Sequence, residues 1–298
     1  MEELEKGMVS CIIPTYKRSD TLIRAINSVL NQTYKKVEVL VVNDNEPDDE
    51  YTELVKKRLE AFKDEPRVRL VLQDKHVNGA KARNVGIEAA QGEYIGFLDD
   101  DDEWEPTKAE HQLRYLQEYP DMAACACLCS TYYNGVKKLE AAPYDNKNLQ
   151  FNVLLRQVGI GTPAFLGRRE CVINSPMFNT KLLRHQELQF FVDFLEQYSI
   201  GILNEHLVKI HGDDTTNRPN LENIIKRKRE WFHEMQNVIN KYSLYDRYRI
   251  RCAHAFEVLL IAIKQKNIPC IIKCVCYVNI FIPAYIDLIR RVKSRNHK

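Results

Sequence analysis

Four short apolar runs constrain this chain most: VSCIIP (9–14), VEVLVVND (37–44), RVRLVLQ (67–73) and EYIGFLD (93–99). Each reads as a strand, and segments of helical period lie between them. DTLIRAINSVLNQ (20–32) has Asp20 placed to cap a helix, an acidic loop leads into a second helix reaching about Phe62, and AKARNVGIEAA (80–90) supplies a third. Short strands alternating with helices predict an α/β fold with a mostly parallel sheet, and strands this apolar need helices on both faces. In such sheets ligands bind outside the carboxyl ends of the strands. The polar residues there are Pro14-Thr15-Tyr16-Lys17-Arg18, Asn43-Asp44-Asn45-Glu46 and Asp99-Asp100-Asp101-Asp102. Three clusters therefore converge on one rim. Neighbouring carboxylates about 4 Å apart repel by roughly 1 kcal/mol in water and by more near a protein surface. Four consecutive aspartates predict either a solvated acidic loop or a divalent cation carrying a polyphosphate.

Charge divides the chain near Asn220. Residues 1–220 carry 27 Lys and Arg against 35 Asp and Glu, whereas 221–298 carry 16 against 6. A body of 1–220 and a basic, amphipathic helical tail of 221–298 are expected, the tail suited to a polyanionic surface. The tail reads as helical in ENIIKRKREWFHEMQNVINKY, YRIRCAHAFEVLLIAIKQ and IPCIIKCVCYVNIFIPAYIDLIRRVKSR. Its last apolar stretch, 268–289, approaches the length of a membrane span, but Lys273, Asp287, Pro269 and Pro283 oppose spanning. An interfacial anchor is expected instead, with Arg290, Arg291, Lys293 and Arg295 facing lipid headgroups; a packed or dimerising helix pair is the alternative. Nucleic acid would explain the basic tail and leave the acidic rim unexplained. The N-terminus MEELEKGMVS lacks the features of a secretory signal, so a cytoplasmic protein, peripheral at the inner face of the cell membrane, is expected. Its nine cysteines should then stay reduced. CACLC puts Cys125, Cys127 and Cys129 on one strand face without zinc-site spacing, which favours buried structural thiols.

SCIIPTYKR, VEVLVVND, NGAKARNVGIEAAQGEYIGFLDDDDEW and RHQELQFF resemble, in order and spacing, the motifs of the family 2 inverting glycosyltransferases. The resemblance covers about residues 8–215 and implies the GT-A fold, with the tail as a helical extension. It further implies a nucleotide-diphospho-sugar donor, UDP-linked in the usual pattern, and a glycan or lipid-linked glycan acceptor. A Mn²⁺ or Mg²⁺ ion would bridge a D-x-D motif to the diphosphate. By this resemblance Pro14, Thr15 and Tyr16 line the base pocket, and Asp44 accepts from the uracil N–H. Asn43 stands where the family usually has the first of two aspartates. Asn78, Gly79, Lys81 and Arg83 lie beside the nucleotide, at a helix N-terminus that favours anions.

Asp99 and Asp100 are then assigned to the ribose and metal side, Asp101 to the metal itself, and Asp102 to capping a helix from Pro106. Trp104 either lines the acceptor side or packs the loop. Glu187, with Gln186 beside it, takes the position of the carboxylate base that inversion requires, where Asp is commoner. His211 sits where some members place a His near the metal. The region 130–180 would form the acceptor walls. Two other functions compete: a sugar-phosphate nucleotidyltransferase, opposed by the glycine-free PTYKRSD, and a binding protein with a decayed site, motivated by Asn43 and Glu187.

Overall fold

The computed structural model describes residues 4–18, 20–212 and 220–279. The first half runs β1 (Glu5–Thr15), α1 (Leu22–Leu30), β2 (Val37–Asn43), α2 (Glu50–Leu59), β3 (Val68–Leu72), α3 (Gly79–Ala89) and β4 (Gly92–Phe97). The second half begins β5 (Glu103–Trp104), α4 (Lys108–Glu118), β6 (Ala124–Tyr133), β7 (Val136–Glu140), α5 (Leu149–Leu154), β8 (Phe165–Arg168) and α6 (Arg169–Asn174). It ends α7 (Gln186–Phe194), β9 (Ile200–His211), α8 (Leu221–Glu234), α9 (Gln236–Ile239), α10 (Leu244–Lys264) and α11 (Ile268–Asn279).

One sheet runs β3-β2-β1-β4-β8-β6-β9-β5, with β7 paired to β6. The first four strands are parallel, as expected. Beyond β4 the sheet is mixed: β8 is antiparallel to both β4 and β6, β9 is parallel to β6, and β5 and β7 pair antiparallel. The mostly parallel expectation thus holds for the first half only. From β1 the chain winds outward to β2 and β3 and then returns to place β4 on the other side of β1, a topological switch point at the strand ends. Register puts Thr15 opposite Asn43, and Ile12 opposite Phe97, so the loops after β1, β2 and β4 leave side by side.

Alternation along the central strands builds two cores. Ile12, Leu40 and Val42 face one; Val9, Cys11, Ile13, Val39 and Val41 face the other. α3 covers the first face through Ala80, Ala82 and Ile87, and α1 covers the second through Leu22, Ala25, Ile26 and Val29. Gly86 lets α3 approach closely, because a Cβ there would fall on Ile12 and lie 3.2 Å from Val42 Cγ2. The first core also stacks Phe97, Phe165, Phe178, Phe190, Phe191 and Phe194. Fully burying each such ring is worth roughly 1.5–3 kcal/mol.

Cys125 and Cys127 are buried, and Cys129 is partly buried on the same face; all three are free thiols, and burial pushes Cys125 up to about 12. The tail helices also join the fold, since Trp231, Met235, Ile239 and Ile250 sit in the first core. A satellite cluster of Leu221, Val258, Ala262 and Cys274 joins α8, α10 and α11. Among the described residues no helix is long and apolar enough to cross a membrane. The expected anchor residues Pro283, Asp287, Arg290, Arg291, Lys293 and Arg295 lie outside the described residues.

Two expected caps are corrected. Thr21, not Asp20, precedes α1; the Asp20 carboxylate instead pairs with Arg58 at 2.6 Å, because Arg58 on α2 offers it a full charge. Asp102 does not cap the helix after Pro106, which starts at Lys108 behind Thr107. Its carboxylate accepts the backbone N–H of His211 at 2.9 Å, tying the aspartate loop to the end of β9.

Candidate active site

Strand ends β1 and β2 build the first wall. Pro14 lies within β1 opposite Val42, and Thr15 ends the strand. Lys17 turns the chain with φ 53°, held by Asn45 Oδ1 accepting its backbone N–H at 2.8 Å. The turn leaves Tyr16 exposed and stacked on His76, with ring centroids 4.2 Å apart. Beside this stack Asp44 is 2 % exposed. Its Oδ1 accepts from Gln73 Nε2 at 3.2 Å, lies 3.3 Å from His76 Nδ1 and meets the Val77 N–H at 3.4 Å. Oδ2 has no protein partner among the described residues. Burial raises the Asp44 carboxyl above its ordinary range, and His76 opposes the shift. Asn43 points elsewhere: it donates to Thr52 Oγ1 at 2.7 Å and accepts from Asn45 at 2.7 Å. A charged Asp there would be buried against two neutral partners, so the Asn suits its pocket.

The aspartate run forms the second wall, and its members separate. Asp100 is buried and accepts from the Thr15 hydroxyl at 2.7 Å. Arg18 pairs with Asp101 and lies 3.4 Å from Asp100. Arg24 donates to the Asp101 carbonyl at 2.5 Å and approaches Glu103 at 3.4 Å. Asp99, the most exposed of the four, pairs with Arg83 at 2.6 Å. Burial pushes Asp100 up to about 7, with Arg18 the chief opposing charge. Burial raises Asp101 also, again opposed first by Arg18. Asp102, buried beside Asp99 and Asp101, is pushed up to about 9. The rim is therefore an overcrowded set of hard oxygen donors, held together by arginines.

α3 supplies a third side. Asn78 caps it, its Oδ1 accepting from the Ala80 and Lys81 N–H groups at 3.0 and 3.1 Å. The same side chain donates to the Thr180 carbonyl at 2.8 Å, and Asn84 exchanges bonds with Phe178 at 2.8 and 3.0 Å. These bonds bring the 178–187 loop to α3. A Cβ on Gly79 would lie 3.9 Å from Gln186 Oε1, so the starts of α3 and α7 adjoin. Arg83 is buried, its guanidinium 5.7 Å from the Phe178 ring, while its Nε has no partner among the described residues. Lys81, in the first turn of α3, has no ion pair among the described residues. Glu187 is exposed in the first turn of α7, and Gln186 is anchored to the Leu182 carbonyl at 2.6 Å.

Two further expected residues have defined partners. Trp104 is 2 % exposed, 3.9 Å from the Lys108 ammonium and tight against Gly96. It packs the loop and presents no acceptor wall, because Gly96 leaves the indole a slot in the second core. His211 Nε2 meets Glu103 at 2.7 Å, which ties it to the acid loop through Glu103. Arg18 lies in the expected rim cluster without an assigned role, and Arg24, His76 and Glu103 are not among the residues expected at the site. His76 stands close in sequence to an assigned motif, which is the signal that could have found it; Arg24 reaches the rim from α1, where its sequence position resembles that of any solvated arginine.

The donor set fits a hard divalent cation. Among the described residues no three His, Cys, Asp or Glu side chains form a complete metal cage. Carboxylates at a rim, with remaining ligands from water and phosphate, suit Mg²⁺ or Mn²⁺.

Residues 10–174 match the family described as Glycosyl transferase family 2. An uncharacterized glycosyltransferase of Rickettsia bellii is 41 % identical over 223 residues, which are 72 % of this chain and 30 % of that protein. The chain thus spans under a third of that relative. One of Haemophilus influenzae is 30 % identical over 201 residues, 67 % of this chain and 76 % of that one. Escherichia coli WfaP, named as a UDP-Glc:alpha-D-GlcNAc-diphosphoundecaprenol beta-1,3-glucosyltransferase, is 34 % identical over 110 residues, 37 % of this chain and 41 % of its own length. In fold, the chain is similar to S. aureus TarS 1-349 in complex with UDP-GlcNAc, with TM-score 0.61 at 17 % identity over 82 % of this chain and 70 % of that one. It is likewise similar to the mannosyltransferase PcManGT of Pyrobaculum calidifontis with GDP-Man and Mn²⁺, with TM-score 0.60 at 16 % identity over 96 % and 86 %. The fold is GT-A, and the match over more than half of the sequence, falling on the strands that build this rim, means that the chain belongs to glycosyl transferase family 2.

Proposed function

We propose that this glycosyltransferase moves a sugar from a UDP-linked donor to a hydroxyl of a glycan or lipid-linked glycan, with inversion and with help from a divalent metal. The observation that carries this reading is the junction of two subsites at one rim: an exposed Tyr16–His76 stack beside buried Asp44, and Asp99–Asp101 beside it. The aromatic pair offers a face to a base, and the unpartnered Asp44 Oδ2 offers an acceptor to a ring N–H. Asp101 would hold the metal with Asp99 near it, and a bound Mn²⁺ or Mg²⁺ would neutralise charge on the departing diphosphate. Lys81, and the positive end of the α3 dipole, favour the same anion. Glu187 takes the proton of the acceptor hydroxyl as that oxygen attacks the anomeric carbon opposite the leaving group. WfaP, by its name a UDP-glucose enzyme with a diphosphoundecaprenol acceptor, and the UDP-GlcNAc complex of TarS support a UDP donor; the PcManGT complex supports Mn²⁺.

With the family established, nucleotidyl transfer and pure binding drop out. Residues 1–220 would form the transferase body and 221–298 a tail that attaches to the inner face of the cell membrane. Exposed Ile263, Ile268, Ile272 and Val275, interspersed with Lys264, Lys266 and Lys273, support interfacial binding. Co-sedimentation with anionic but not zwitterionic vesicles tests the tail, and a stable dimer that binds neither would favour the packing alternative. The donor is tested by screening nucleotide sugars for Mn²⁺-dependent thermal stabilisation, followed by UDP release with acceptor extracts. Unchanged UDP release in Asp101→Ala or Glu187→Gln would defeat the mechanism.

A further inference from the structure

A polar cluster is buried between the tail helices and the segment leading to α7, away from the acidic rim. Lys228 of α8 is 7 % exposed at its side chain and donates to Glu257 of α10 at 2.6 Å. The other Glu257 oxygen accepts from Arg156 Nε at 3.0 Å, just beyond α5. Lys228 also lies 3.2 Å from His254 Nδ1. His254 Nε2 lies 3.2 Å from the Leu154 carbonyl, and its ring stacks on Trp231 at 4.7 Å. With Nδ1 accepting from the ammonium, the imidazole is neutral and its Nε2–H caps α5. Glu257 thus binds two cations from two different elements. Removing it would leave both short of a counter-charge in a poorly solvated place.

The cluster reaches α7 through α5, at whose end Arg156 and the Leu154 carbonyl meet it. Gln150 of α5 donates to the Val192 carbonyl at 2.9 Å and to Glu196 at 2.7 Å, so α5 is fastened along α7. Two further tail groups hold the same region: Tyr242 donates to Gln150 Oε1 at 2.5 Å, and Glu234 accepts from Asn179 at 2.7 Å. Asn179 in turn bonds to Gln189 of α7 at 2.7 Å. At the start of α7, His185 has φ 61°, and Arg156 has φ 59°. Non-glycine residues occupy this left-handed region only when their surroundings enforce it. The charges of Lys228 and Arg156 also bear on His185, which burial, first, and these cations hold down to about 3. The imidazole before α7 therefore stays neutral beside this cluster.

We propose that Glu257 is a positioning residue: by joining Lys228 of the tail to Arg156 just beyond α5, it holds α5 against α7, the helix whose first turn carries Glu187. The tail is then a working part of the transferase and not only an attachment. This rests on the reading of Glu187 as the base.

The test uses full-length Glu257→Gln. Hydrogen exchange of amides 185–190 should speed up by about tenfold or more, while the amides of β2 stay as slow as in the wild type. Affinity for UDP with Mn²⁺ by calorimetry should stay within about twofold, and kcat for UDP release should fall about tenfold at little changed donor KM. Glu257→Asp should recover part of both losses. If Glu257→Gln does not fold, the Lys228→Gln/Glu257→Gln variant removes the stranded ammonium and is read in the same way. Unaltered exchange at 185–190 in a folded variant, or acceleration equal to that in β2, overturns the proposal. Wild-type turnover in Glu187→Gln would instead remove the base reading, a separate outcome from the exchange result.

Discussion

Gly86→Ala gives a test whose sign separates two effects. On an isolated helix the change stabilises by about 1 kcal/mol, because alanine loses less backbone entropy. Here the new methyl would fall on Ile12 Cγ2 and lie 3.0 Å from Ile12 Cγ1 and 3.2 Å from Val42 Cγ2. Ile12 and Val42 are 0 % exposed and sit in neighbouring central strands, so neither can swing away into solvent. Either α3 lifts from the sheet or Ile12 leaves its rotamer, at a typical overpacking cost of about 1–3 kcal/mol. The net expectation is a loss of up to about 2 kcal/mol, read as a lower urea midpoint with unchanged slope. Ile12→Ala alone should cost about 2–5 kcal/mol as a cavity. In that background the methyl has room, so Gly86→Ala should become neutral or stabilising, with a coupling of about 2 kcal/mol. A stabilising Gly86→Ala in the wild type, or an equal loss in both backgrounds, would refute the close approach of α3.

Three further outcomes are expected. Asp101→Asn should lower metal-dependent UDP release by about a hundredfold or more, whereas Asp102→Asn, which keeps an oxygen for the His211 N–H, should lower it far less; equal losses measured at saturating donor would reverse the assignment. Tyr16→Ala should weaken UDP binding by about 1–3 kcal/mol in calorimetry through loss of one stacking face, and unchanged affinity would move the base elsewhere. His185 is held at about 3 in the fold against about 6.5 when unfolded, so the unfolded chain binds the extra proton. Its contribution is present above pH 6.5 and is lost by about 1.4 kcal/mol per unit as pH falls towards 3. His185→Asn, which tolerates the left-handed backbone, should therefore flatten the acid limb of the stability curve; identical pH profiles would contradict it.

What the sequence disclosed follows from which signals are local. Strands β1 to β4 were legible because their β-branched runs alternate with helical periods, and strand ends in such sheets carry the ligand by topology alone. That places Tyr16, Asp44 and Asp99–Asp101 on one rim. The mixed half of the sheet was less so, since β5 is only two residues long and its pairing with β9 spans more than a hundred positions. Caps failed for a similar reason. Asp20 and Asp102 satisfy the local pattern of an N-cap, but a partner distant in sequence, Arg58 or the His211 N–H, offered a better bond. Trp104 shows the limit for aromatics: whether an indole lines a pocket or fills a core depended on the glycine at 96 in the adjoining strand.

The arginines give the acidic rim its physical sense. Four aspartates in sequence oppose their own ionisation, and burial adds to that cost; Asp100 and Asp102 are raised furthest because they are the most enclosed. Arg18 on Asp101 and Arg83 on Asp99 neutralise the two members that face the open side. In the proposed reading, a divalent cation arriving with a diphosphate would bring positive charge to the carboxylates and negative charge to the guanidiniums at the same time. The ion pairs could then be exchanged for donor contacts without stranding either sign. On the same reading the pairs would act as a selectivity device: a metal without the phosphate would have to compete with Arg18 for Asp101, so binding of each should depend on the other. Mn²⁺ alone should therefore bind weakly, UDP alone weakly, and the two together far more tightly than the product of their separate effects predicts.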